Sequence, residues 1–157
     1  MSKVPMQTID WIETAPVRIE GRAESTASAD KIFAILADHE RWSEWFPMVR
    51  RVDVIGPAEG VGARRRVVVP GMTVEEEFIV WEPGKRWTFT AFDVRPGVAK
   101  ALVEDCVLTP LANGGTAISY TMYIDPGRGT FLTKLIAPGI RRNNTKAMQN
   151  LAKRAAT

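Results

Sequence analysis

"HERWSEWFPMVRRV", residues 39–52, gathers two tryptophans, a phenylalanine, a proline and the chain's single histidine just ahead of an alternating apolar run. Pro47 lacks an N–H and crowds the preceding turn, so it ends any helix carrying Trp42, Trp45 and Phe46. The chain that follows, "VRRVDVIG" (49–56), alternates with a period of two and reads as a strand. The stretch is therefore a junction between helical and extended chain.

Upstream of it, "PVRIEGRAEST" (16–26) places Val17, Ile19, Gly21 and Ala23 on one side of a further strand. Ser28 then offers an N-cap, Asp30 suits the positive end of a helix, and Ile32, Phe33, Ile35 and Leu36 form an apolar stripe. This predicts a helix over about 29–38 and a second short one before Pro47. Residues 1–14 read as an irregular N-terminal segment.

Downstream, prolines recur at 57, 70, 83, 96, 110 and 126, and β-branched and aromatic runs lie between most of them. Because proline cannot donate within a central ladder, it separates strands and does not interrupt them. The runs 63–69, 73–81, 86–94, 98–109 and 116–124 are the further strands. Their links, such as "EPGK" and "ANGG", suit antiparallel hairpins and are too short for parallel crossovers. The tail carries Leu132, Leu135, Ile136, Ile140, Met148 and Leu151 at helical spacing, with Pro138 expected to kink or split it. The order predicts one α+β domain over 1–157, with a single antiparallel sheet burying one face under a long helix.

Composition narrows the chemistry. One cysteine, Cys106, excludes an internal disulfide, and one cysteine beside one histidine leaves no zinc or iron–sulfur ligand set. No metal and no cofactor is expected. The N-terminus has no apolar stretch of signal-peptide length, which points to a cytoplasmic setting. Net charge is +3, yet residues 126–157 hold seven basic side chains and no acidic one. The basic C-terminal helix is suited to weak contact with an anionic membrane surface, or is simply a solvated face. Nucleic acid is not expected as a partner, because the aromatics sit at alternating core positions and not on an exposed stacking platform.

Several groups carry candidate roles. His39 reads as a residue at the end of the first helix, suited to the carbonyl dipole there. Glu75, Glu76 and Glu77, like Arg64, Arg65 and Arg66, read as solvated strand positions that can pair across neighbouring strands, with Glu76 turned opposite to its neighbours. Either Glu104 or Asp105 faces inward on 98–109, depending on a register that the even alternation leaves open.

The opening "IEGRAESTASADKIFAILADHERWSEWFPMVRRVDV" is similar to that of the START-like superfamily, in Asp38, Trp42, Trp45, Pro47 and Val49. "VLTPLANGGTAISYTM" likewise resembles its last hairpin, in Leu108, Pro110, Gly115, Thr116 and Ile118. The resemblance covers residues 16 to about 155 and implies the branch of polyketide cyclases, dehydrases and lipid-transport proteins. The glycine pattern of the pollen-allergen branch is missing, and no Rieske motif occurs.

It implies a helix-grip fold: a curved antiparallel sheet of about seven strands around a long C-terminal helix, over a hydrophobic cavity. Leu108 is inward in that register, which brings Glu104 into the cavity. The implied function is binding or transport of a hydrophobic small molecule, lipid or polyketide-like. The ligand contacts would be Trp42, Trp45, Phe46, Trp81, Trp87, Phe89, Glu104, Tyr120, Met122 and Leu135. The alternative is a cofactor-independent cyclase or dehydrase using Glu104 or Asp105 with Tyr120 as acid–base groups.

Overall fold

The computed structural model describes residues 3–157. Seven strands form one antiparallel sheet: β1 (Val17–Ser25), β2 (Arg51–Ile55), β3 (Arg64–Val69), β4 (Met72–Glu82), β5 (Arg86–Arg95), β6 (Ala101–Pro110) and β7 (Thr116–Asp125). They lie in the order β1-β7-β6-β5-β4-β3-β2, so every consecutive pair from β2 to β7 is a hairpin and β1 closes onto β7. Between β1 and β2 stand helix α1 (Ala29–Ala37) and a 3-10 helix, His39–Glu44. Helix α2 (Thr130–Ala155) follows the sheet. This is the helix-grip arrangement.

Local chemistry explains the boundaries. Ser28 caps α1, its hydroxyl accepting from Lys31 N at 3.4 Å. Trp42 fixes the 3-10 helix against α1 by donating through Nε1 to Leu36 O at 2.9 Å. Pro138 lies inside α2 without splitting it, since the helix is continuous from Thr130 to Ala155.

Cross-strand pairing places alternate residues of each strand on one concave face. Gly21 pairs with Tyr120, Tyr120 with Cys106, and Glu104 with Phe89. The C-terminal half of α2 lies directly on that face. A Cβ at Gly21 would stand 2.6 Å from backbone atoms of Asn144 and Thr145, so only glycine lets helix and strand approach this closely. Ser25 Oγ donates to Ala152 O, and Asn150 Nδ2 to Trp45 O, fastening the same half. Every buried residue of α2 lies from Asn144 onward.

The N-terminal segment corrects one expectation. Residues 9–13 form a 3-10 helix, Lys3 makes a bridge to Asp93, Val4 is buried, and Gln7 N donates to Thr90 Oγ1 at 2.9 Å. The reason lies in the sheet. Pairing of β5 with β6 ends at Thr90 and Val103, so the rest of β5 presents an unpaired edge, and Val4 N donates to Phe92 O there.

Candidate functional site

The residues expected to line a cavity converge at the concave centre of the sheet. Trp42, Trp45 and Phe46 reach it from the loop side, Trp87 and Phe89 from β5, and Tyr120 from β7, all of them buried. Phe78 from β4 joins them. Neighbouring ring centroids stand 4.7 to 6.2 Å apart, within the range of favourable aromatic pairs. This part of the face is thus closed on itself by ring-to-ring contact.

Inside this aromatic shell lies a polar network. Arg65 is 1% exposed, and its guanidinium sits 4.0 Å from the centroid of Trp42 and 5.0 Å from that of Trp87. Nε donates to Glu76 Oε2 at 2.7 Å, and Nη1 stands 3.2 Å from His39 Nδ1. The other histidine nitrogen, Nε2, is 2.9 Å from Ala58 O. A guanidinium only donates and a carbonyl only accepts, so this histidine is neutral, protonated at Nε2 and accepting at Nδ1. Burial and the facing Arg65 charge hold its pKa down at about 4.

Two expectations are corrected here. His39 does follow the end of α1, yet its ring is buried and bonded to Arg65 and Ala58 O, so it serves the core and not the carbonyl dipole of that helix. Arg65 and Glu76 are the buried middle members of two triplets whose outer pairs, Arg64 with Glu77 and Arg66 with Glu75, lie on the opposite face. Alternation signals only that the middle of each triplet faces opposite to its neighbours; the packing of the sheet turns that face inward, and the antiparallel register sets cation against carboxylate.

Next to this pair stands Glu104, also buried, with Tyr120 Oη donating to its Oε2. Burial pushes the Glu104 pKa up to about 8, the Glu76 carboxylate adds to the rise, and Arg65 opposes it. At neutral pH Glu104 is therefore mostly protonated. Burial also raises Glu76, against the pull of Arg65. Asp105 lies on the other face, bonded by Arg86 Nε at 2.8 Å and Thr88 Oγ1 at 2.7 Å. The register thus places Glu104, and not Asp105, beside Tyr120.

The remaining candidates spread outward. Trp81 is partly buried and packs edge-on to Phe33 and Phe78. Met122 is half-buried on the same concave face, in a second cluster with Leu102, Val74, Val94 and Ile124. Leu135 is 67% exposed, so it takes no part in the enclosed face. Three buried donors have no hydrogen-bond partner among the described residues: Trp45 Nε1, Trp87 Nε1 and Asn144 Nδ2. Sequence patterning carries no signal for them, because an orphan donor exists only once its neighbours are placed.

Known proteins share this architecture. An uncharacterized protein of Mycobacterium tuberculosis is 29% identical over 116 residues, covering 73% of this chain and 69% of that one. The aromatase/cyclase Zhui of Streptomyces sp. R1128 superposes with a TM-score of 0.72 at 16% identity, over 88% of this chain and 93% of that one. A START superfamily protein from Mycobacterium smegmatis gives 0.68 at 14% identity, over 87% and 97%. At such identities the two structures speak for the fold alone. The sequence model of one family spans residues 16–156, and the chain belongs to that family, described as polyketide cyclase / dehydrase and lipid transport.

Proposed function

We propose that the protein binds a hydrophobic small molecule bearing an oxygen acceptor, lipid or polyketide-like, on the concave face beneath α2. The observation that carries this reading is the Glu104–Tyr120 pair set into an aromatic and aliphatic wall, with Trp87 Nε1 and Asn144 Nδ2 as unpartnered donors. A mostly protonated Glu104 adds a further donor. Small-molecule sites are of this kind: largely apolar, with a few convergent polar groups that fix orientation.

The test is native mass spectrometry of gently purified protein, followed by titration with fatty acids and aromatic polyketides while tryptophan fluorescence is read. Retained ligand, or saturable quenching that Glu104→Leu weakens, supports the reading. No bound species and no quenching across the panel overturns it.

A second reading is favoured by one observation, the Glu104 pKa of about 8 beside a tyrosine hydroxyl. In an acid–base enzyme the ionised Glu104 carboxylate would take a proton from carbon next to a carbonyl. The C–H electron pair would form a C=C bond to the carbonyl carbon as the C=O π pair moves to oxygen, and the Tyr120 hydroxyl would turn from Glu104 to hold that oxygen by hydrogen bond. Turnover that rises with pH toward about 8 and is lost in Glu104→Gln is the expected signature. Ligand binding without turnover leaves only the first reading standing.

A further inference from the structure

Helix α2 has two unlike halves. From Asn144 onward it is seated on the sheet, whereas Phe131, Leu132, Leu135 and Ile136 are 82%, 60%, 67% and 51% exposed. Their spacing puts them on one face over two turns. At 3.6 residues per turn, Leu135 lies about 140° around the axis from the buried Met148, so the apolar face is turned away from the core. An exposed run of large apolar side chains of this kind marks an interaction surface.

The surroundings select the partner. Arg142 and Lys146, seven and eleven residues beyond Leu135, continue this face as exposed cations, the exposed Arg128 precedes it, and residues 126–157 contain no acidic side chain. The nearest acid in sequence, Asp125, accepts from Gly127 N at 2.7 Å. The turn before β6 abuts the same end of the helix, since a Cβ at Gly127 would stand 2.6 Å from Lys100 Cε. That turn adds Val98, 52% exposed, and the exposed Lys100. Apolar side chains rimmed by cations fit an interface with hydrocarbon below and anionic headgroups around it. A second copy of this chain would bring like charges together.

We propose that the N-terminal half of α2, with the Val98 turn, docks on an anionic membrane surface, with Phe131, Leu132, Leu135 and Ile136 entering the headgroup boundary. Apolar burial and cation attraction act together there, so binding requires both. The proposal stands independently of which ligand the concave face takes.

The experiment is sedimentation of the full chain with phosphatidylglycerol–phosphatidylcholine vesicles and with pure phosphatidylcholine vesicles, at low and high salt. Expected is partition onto the anionic vesicles at low salt, falling by about tenfold or more at high salt and on neutral vesicles. Phe131→Ser with Leu135→Ser should reduce that partition by a similar factor while the melting temperature holds, because both side chains are exposed. No binding to anionic vesicles at low salt, or equal binding to neutral ones, overturns the proposal. So does a wild-type dimer in sedimentation velocity that the double variant dissolves.

Discussion

Arg65 Nη1 stands 3.2 Å from His39 Nδ1 while Nε of the same guanidinium holds Glu76 Oε2 at 2.7 Å, all three side chains buried. A buried cation costs several kcal/mol in desolvation, and it persists here because a carboxylate, a neutral imidazole and aromatic faces together replace its water. Removing one partner should therefore be far worse than removing both. Arg65→Met leaves Glu76 unpaired and is expected to cost about 3–5 kcal/mol in urea unfolding. Arg65→Met with Glu76→Leu should recover much of that loss.

The pH dependence of stability follows from two opposed shifts. Glu104 is raised from 4.5 to about 8, so the folded state binds its proton more tightly and stability falls as pH rises through that window. His39 is lowered from 6.5 to about 4, so its contribution is complete above 6.5 and is lost as pH falls. The two slopes oppose each other in the region they share. What remains is a net decline from about 6.5 to 8, worth about 1.4 kcal/mol for each pH unit of Glu104 titration. Urea midpoints measured across that range should show the decline, and Glu104→Gln should flatten it.

Tyr120→Phe keeps the ring in its aromatic contacts and removes only the hydroxyl. The buried Glu104 then loses its partner, with an expected cost of about 1–3 kcal/mol. In a double-mutant cycle with Glu104→Gln, the two changes should cost less together than their sum. Strict additivity would show that the pair is not coupled.

Gly21→Ala tests the seat of α2. The added Cβ would meet the backbone of Asn144 and Thr145 at 2.6 Å, and neither can rotate away as a side chain would. An expected loss of about 1–3 kcal/mol, with faster hydrogen exchange in residues 144–155, would check it. Gly114→Ala is no comparable control, because its positive φ of 84° strains any side chain. Gly139→Ala, in open space within the helix, is the proper one and should be neutral or stabilising.

The element order was legible because period-two alternation, the prolines and the short hairpin links act over a few residues. The Ser28 cap and the helix over 29–37 follow from equally local preferences. Of the candidate site, the aromatic residues were legible as core positions. Whether Glu104 or Asp105 faced inward was not legible from alternation, since both registers bury plausible residues. The tertiary neighbours Tyr120 on one face, and Arg86 and Thr88 on the other, separate the two acids.

The chain's local chemistry thus determined which segments are strands and where α1 begins and ends, and it made a pairing of the acidic with the basic triplet available, whereas Pro138, read as a break, lies within the continuous α2. Only the tertiary structure decided that Arg65, Glu76 and His39 form one buried network, that Leu135 lies outside it, and that α2 grips the sheet with one half alone. The physical reason is range. Propensity and periodicity act between near neighbours, whereas desolvation, charge pairing and the backbone contact at Gly21 depend on groups that meet only when distant strands and the C-terminal helix close on each other.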